Sequence, residues 1–175
     1  GFTISSHLIG LYNANNINAA LTIGKYFGVA DLAIKEALES YIPENNRSQL
    51  LTKGTNQIIL DAYNANPSSM TVAILNFLQL ENPDKIMILG DMFELGEESQ
   101  QEHLAIIKML SNEENVKCYF IGKAFYDDRI DKNNFRFDET FENFSDYLKE
   151  TKIENSTILI KGSRGMALER TLDFL

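Results

Sequence analysis

Within eight residues, Asp61-Ala62-Tyr63-Asn64-Ala65-Asn66-Pro67-Ser68 gathers a carboxylate, a phenol, two amides and a hydroxyl. This set can accept and donate hydrogen bonds to a polyhydroxylated ligand, and it comes directly after the apolar run Gln57-Ile58-Ile59-Leu60. Three further polar segments also trail apolar runs. They are Gly90-Asp91-Met92-Phe93-Glu94-Leu95-Gly96, Gly122-Lys123, and Lys161-Gly162-Ser163-Arg164-Gly165. The last combines two cations with small residues, a composition suited to an anion held by side chains and backbone N–H groups. Each segment also has a purely structural reading. Asn66-Pro67-Ser68 suits a helix start, with Asn66 as cap and Pro67 in the first turn. The Gly90–Gly96 stretch suits a solvated loop, and Ser163 can simply cap a following helix. The structural readings leave Asp61, Tyr63 and Asn64 unexplained.

The elements that must carry these residues can be read from apolar rhythm. Strand-like runs occur at "SQLLTKG", "NQIILDAY", "KIMILGD", "VKCYFIG" and "STILIKG". Helical stretches separate them at roughly Ser68–Gln79, Glu98–Ser111, Phe141–Thr151 and Arg164–Leu175. Short continuous apolar strands alternating with amphipathic helices predict a parallel sheet covered on both faces. The first two strands can pair as a hairpin through Gly54. Ahead of them, residues 15–41 read as two helices divided at Gly28. Ala19, Ala20, Ile23 and Tyr26 form one packing face, and Leu32, Ala33, Ala37 and Leu38 the other. The Pro- and Asn-rich "IPENNR" marks a boundary. The expected fold class is α/β: a Rossmann-like, mostly parallel sheet with flanking helices, preceded by a short helical segment. In such sheets ligands bind beyond the carboxyl ends of the strands, which is where all four polar segments fall.

Composition narrows the function. The 175 residues are 44% hydrophobic and 23% charged, ordinary for a globular chain, and carry a net charge of −9. A general nucleic-acid grip relies on clustered Lys and Arg and is not expected here. Cys118 is the single cysteine, so no internal disulfide can form, which points to a reducing, cytoplasmic compartment; its apolar surroundings suit a buried strand position better than a nucleophile. His7 and His103 lack the spacing of a metal pair. No apolar run approaches the ~20 residues of a membrane span, and no leader precedes "GFTISSHL", which reads like the interior of a longer protein. No G-x-x-x-x-G-K-[ST] loop occurs, so the chain does not cradle a nucleoside triphosphate by that route alone.

Taken in order, "DAYNANPSSM", "LGDMFELG" and "KGSRGM" on successive strand ends resemble the C-terminal domain of the Mur ligase family. The Asp-Ala-Tyr-Asn-Ala-Asn-Pro string is similar to the branch that adds D-alanyl-D-alanine. Upstream, "GLYNANNINAA" looks like the segment closing the family's central ATP-binding domain, with Tyr12 where the family usually has His. "ENNRSQ" is similar to the Arg-containing entry to the third domain. The resemblance covers essentially the whole chain, with residues 1–43 as the tail of the central domain and 44–175 as the third domain.

The resemblance implies an activity. ATP, with Mg2+ held mainly by the central domain, would phosphorylate the carboxylate of a UDP-N-acetylmuramoyl-tripeptide. The amine of D-Ala-D-Ala would then displace phosphate through a tetrahedral intermediate, a step in peptidoglycan precursor synthesis. Such chemistry relies on positioning, charge neutralisation and exclusion of water. Carried over residue by residue, Asn13 and Asn16 would line the adenine side, Asp61 would accept from the ribose, Arg47 would reach ribose or phosphate, and Tyr63 would pack near the nucleotide. Asn64, Asn66 and Ser68 would face the nucleotide–dipeptide junction, while Lys161, Ser163 and Arg164 would meet the dipeptide carboxylate. The resemblance assigns no certain catalytic group and no metal ligand within these residues; a monomer is expected. Two alternatives stay open: a sister ligase adding another amino acid or glutamate, as in folylpolyglutamate synthesis, and a stand-alone Rossmann-like module using Asp61 or Asp91 as its acidic residue.

Overall fold

A computed structural model describes residues 3–8, 13–82 and 84–175. Tyr12, with the residues from Ile9 to Leu11, lies outside the described residues. The chain divides into two compact units, residues 1–44 and 45–175.

In the first unit, α1 (Asn13–Tyr26) and α2 (Asp31–Ser40) flank a turn in which Gly28 adopts φ +74°, the left-handed conformation that ends a helix. The expected packing faces are not buried. Ile23, Tyr26 and Leu32 are exposed, Tyr26 at 83%, and the buried positions within these helices are Asn13 and Ile34. Helical periodicity is thus present, but among the described residues these side chains find no apolar layer to cover them.

The second unit is a six-stranded sheet. β1 (Gln49–Lys53) and β2 (Asn56–Asp61) form the predicted antiparallel hairpin, with Lys53 opposite Asn56 and Gly54 at φ +58° in the turn. α3 (Pro67–Leu78) leads to β3 (Lys85–Gly90), α4 (Ser99–Leu110) to β4 (Val116–Ile121), and the short α5 (Lys123–Asp127) to β5 (Phe135–Asp138). α6 (Phe141–Glu150) then returns the chain to β6 (Thr157–Lys161). The order across the sheet is β1-β2-β6-β3-β4-β5, parallel except for β1.

The central strands bury both faces. On one side, Met87, Leu89, Cys118, Phe120 and Leu159 pack against Met70, Ile74 and Phe77 of α3, Ile106, Ile107 and Leu110 of α4, and Phe125 of α5. On the other, Ile58, Leu60, Ile86, Ile88, Ile158 and Ile160 meet Phe144 and Leu148 of α6 and Leu168. Two-sided burial explains why the strand sequences are continuously apolar instead of alternating. Beyond β6 the expected helix does not form. Residues 164–166 and 168–174 are two 3-10 stretches broken at Ala167, which sits at φ +48°. Among the described residues, no helix is long and apolar enough to cross a membrane.

Candidate functional site

The parallel register sets Asp61 directly opposite Lys161, each the last residue of its strand. Lys161 Nζ donates to Asp61 Oδ2 at 2.6 Å and to the Asn64 carbonyl at 3.2 Å. Asp61 Oδ1 accepts from the backbone N–H of Ser48 at 3.0 Å. Ser48 and Asn46 both hold positive φ, 49° and 57°, which bends the approach to β1 back over the strand end. In that bend the Asn46 carbonyl accepts from Tyr63 N–H, and the Arg47 guanidinium lies 3.7 Å from the Tyr63 ring centroid. Arg47, Asp61, Tyr63, Asn64 and Lys161 therefore form one cluster on the rim. Arg47, Tyr63 and Asn64 are exposed, whereas the ammonium is buried beneath them.

Asn66 and Ser68 turn out to be structural in large part. Asn66 caps α3: its side-chain oxygen accepts from Ser69 N–H at 2.8 Å and Ser68 Oγ at 2.9 Å, while Asn66 N–H donates to Ser69 Oγ. This is a capping box completed by Pro67 in the first turn. Both residues stay exposed, but their hydrogen bonds are already directed inward to the helix start.

Lys161, Ser163 and Arg164, expected to meet the acceptor carboxylate together, are held in three different settings. Ser163 is only 2% exposed. Its Oγ accepts from Phe93 N–H at 2.8 Å and donates to the Ala65 carbonyl at 3.4 Å, and its N–H donates to the Asp91 carbonyl. Ser163 thus ties three rim segments together and has no hydroxyl capacity turned to solvent. Arg164 is exposed at 58% and donates to Glu169 Oε1 at 2.7 Å, so its partner here is an internal carboxylate. Of the three, Arg164 alone is open to a ligand.

Sequence reasoning also passed over the device that shapes the Gly90–Gly96 loop. His103 of α4 is fully buried. Met92 N–H donates to its Nε2 at 2.9 Å, and its Nδ1 lies 2.7 Å from the Ser99 carbonyl. An amide N–H only donates and a carbonyl only accepts, so the ring is neutral with its proton on Nδ1. The adjacent Asp91 carboxylate accepts from the backbone N–H groups of Ala124 and Phe125 at 2.9 and 3.0 Å. Gly122 makes room for it: φ is +125°, and a Cβ there would fall 2.3 Å from Asp91 Cγ. The four-residue spacing of Ser99 and His103 was the one local hint of this network.

Asn13 and Asn16 pair with each other in the first unit, Asn16 Nδ2 donating to Asn13 Oδ1 at 3.0 Å. Among the described residues, no three His, Cys, Asp or Glu side chains gather as a metal-holding group. Cys118 lies in β4 beneath the sheet's helical cover, and burial pushes its thiol up from 9.0 to about 12.

The chain matches the family described as "Mur ligase, glutamate ligase domain" over residues 46–164, which includes this whole rim. It is 32% identical to the UDP-N-acetylmuramoyl-tripeptide–D-alanyl-D-alanine ligase of Borreliella burgdorferi, across 99% of this chain and 38% of that protein. Among solved structures, MurF from Acinetobacter baumannii superposes with a TM-score of 0.83 at 27% identity, over 97% of this chain and 38% of that one. MurF from Thermotoga maritima, solved in complex with ADP, gives 0.78 at 24% identity, over 99% and 40%, a likeness of fold. The chain thus spans about two-fifths of the length of these relatives, and with the match taking in most of its residues it belongs to the Mur ligase family.

Proposed function

We propose that this chain is the C-terminal part of an ATP-dependent ligase that adds D-alanyl-D-alanine to a UDP-N-acetylmuramoyl-tripeptide in peptidoglycan precursor synthesis. Residues 1–43 are read as the tail of the central ATP-binding domain and 44–175 as the third domain. The observation that carries the reading is the rim cluster of Arg47, Asp61 and Tyr63 inside the family match. It brings a carboxylate, a guanidinium and an aromatic face together at the ends of parallel strands.

The cluster has the donor and acceptor set that a nucleotide needs. Asp61 keeps lone pairs beyond those given to Ser48 and Lys161, and it can accept from the ribose hydroxyls. Arg47 carries a fixed charge for ribose or phosphate oxygens, and the ring of Tyr63 already holds that guanidinium in place. ATP supplies the phosphoryl group that makes the tripeptide carboxylate an electrophile; the residues of this chain bind, orient and help exclude water. On the acceptor side Arg164 can exchange Glu169 for the dipeptide carboxylate, while Ser163 acts through the loop it holds. Asn64 faces the junction, with Asn66 and Ser68 shaping it as the cap of α3. No residue of this chain is assigned to Mg2+.

Replacing Asp61 with Ala in the full-length enzyme separates the sides of the site. Loss of a charge-assisted hydrogen bond costs about 1.5–3 kcal/mol, so the KM for ATP should rise roughly ten- to a hundredfold. The KM for the UDP-sugar substrate should move little. An unchanged ATP KM with a shifted sugar KM would remove Asp61 from the nucleotide side.

A further inference from the structure

We propose that Lys161 is a positioning residue for the nucleotide side of the site, acting through Asp61, and that it does not hold the acceptor. The inference rests on the nucleotide reading above.

Geometry assigns the side. Lys161 ends β6 between β2 and β3, and its ammonium crosses to the neighbouring β2 rim instead of turning outward. The lysine side chain is 2% exposed and that of Asp61 is 18% exposed. A ligand can therefore touch the carboxylate but not the ammonium. A dipeptide carboxylate would have to displace Asp61 from a 2.6 Å contact to reach Nζ. That exchange would leave the Asp61 charge largely buried without its partner, which is costly.

The role of Lys161 in that place can be read from its two acceptors. The bond to Oδ2, together with Ser48 N–H on Oδ1, fixes the rotation of the Asp61 carboxylate and so the direction of its remaining lone pairs. The bond to the Asn64 carbonyl pins the turn between β2 and α3. The neighbouring Tyr63 N–H is in turn bonded to Asn46, beside the arginine that stacks on the tyrosine ring. One buried cation thus orients the carboxylate and steadies the segment that carries the aromatic face.

The test is a double-mutant cycle in the full-length enzyme with Lys161→Met, Asp61→Asn and the pair, measuring KM for ATP and for D-Ala-D-Ala separately. Thermal melting checks that each variant is folded. Lys161→Met should raise the ATP KM about tenfold, equivalent to ~1.4 kcal/mol, and move the dipeptide KM by less than about twofold. The double variant should be no worse towards ATP than the more impaired single one, because Lys161 acts through Asp61. A raised dipeptide KM with ATP spared, or losses that multiply in the pair, would overturn the proposal. Where Lys161→Met fails to fold, Lys161→Gln keeps a donor without the charge and is read by the same criteria, with an expected rise of about threefold in ATP KM. If Asp61→Asn itself leaves the ATP KM unchanged, the nucleotide reading falls and this inference with it. If Asp61→Asn raises the ATP KM and the lysine variants do not, the inference alone falls.

Discussion

Arg164 and Cys118 show how differently two reactive side chains can be placed. The guanidinium of Arg164 is exposed and paired with Glu169, a surface contact worth about 0–1 kcal/mol. Exchanging that partner for a ligand carboxylate is therefore cheap. In the full-length enzyme Arg164→Ala should raise the D-Ala-D-Ala KM about tenfold with ATP spared; a shift below about threefold would confine the residue to its surface pair. Cys118 is the opposite case, a thiol raised from 9.0 to about 12 by burial. In the folded chain it should resist iodoacetamide at pH 8 and react only on unfolding. The sign of its pH effect is set by proton uptake. Between pH 9 and about 12 the unfolded thiol has lost a proton that the folded one keeps, so stability falls with rising pH, by up to ~1.4 kcal/mol per unit. Urea unfolding at pH 8 and 10 should show that loss in the wild-type chain and a smaller one in Cys118→Ala.

At the scale of elements, short hydrogen-bonded devices hold the rim. Asn66→Ala removes the cap of α3 and should cost about 1 kcal/mol in urea unfolding. His103→Phe keeps a ring beside Phe125 but leaves Met92 N–H without its acceptor, which should cost about 1–3 kcal/mol. A cost for His103→Phe no larger than that of an exposed substitution would mean the loop is held by other contacts. The elements themselves were legible where apolar runs were long: β1 to β4, β6, α3, α4 and α6 lie where periodicity puts them. β5 was missed because Phe135–Asp138 is four residues at the sheet edge, with Arg136 and Asp138 interrupting the apolar pattern and bonding to each other. The stretch after β6 misled because Leu168 and Leu172 recur at helical spacing, while the left-handed Ala167 breaks it into 3-10 turns. The rim's location was readable from the polar segments that close the apolar runs. The inward use of Lys161 and Ser163 was not, since their partners lie 70 to 100 residues away in sequence.

The whole molecule falls into two units, and the second carries a complete core. The sheet unit buries apolar side chains on both faces, so residues 45–175 made alone should unfold in one cooperative transition. Separate transitions by near- and far-UV circular dichroism would contradict this. The helices of residues 1–44, by contrast, leave Tyr26, Phe27 and Leu32 exposed. On the proposed reading, in which ATP is held mainly by a central domain, the 175-residue chain by itself should turn over no ATP. The measurement that bears most directly on the proposed activity is phosphate release by the full-length enzyme with ATP and UDP-N-acetylmuramoyl-tripeptide, with each acceptor offered in turn. Release that depends on D-Ala-D-Ala, and not on glutamate or a single amino acid, is the predicted result. Release that depends instead on glutamate or another amino acid, or that never requires the muramoyl substrate, would contradict it.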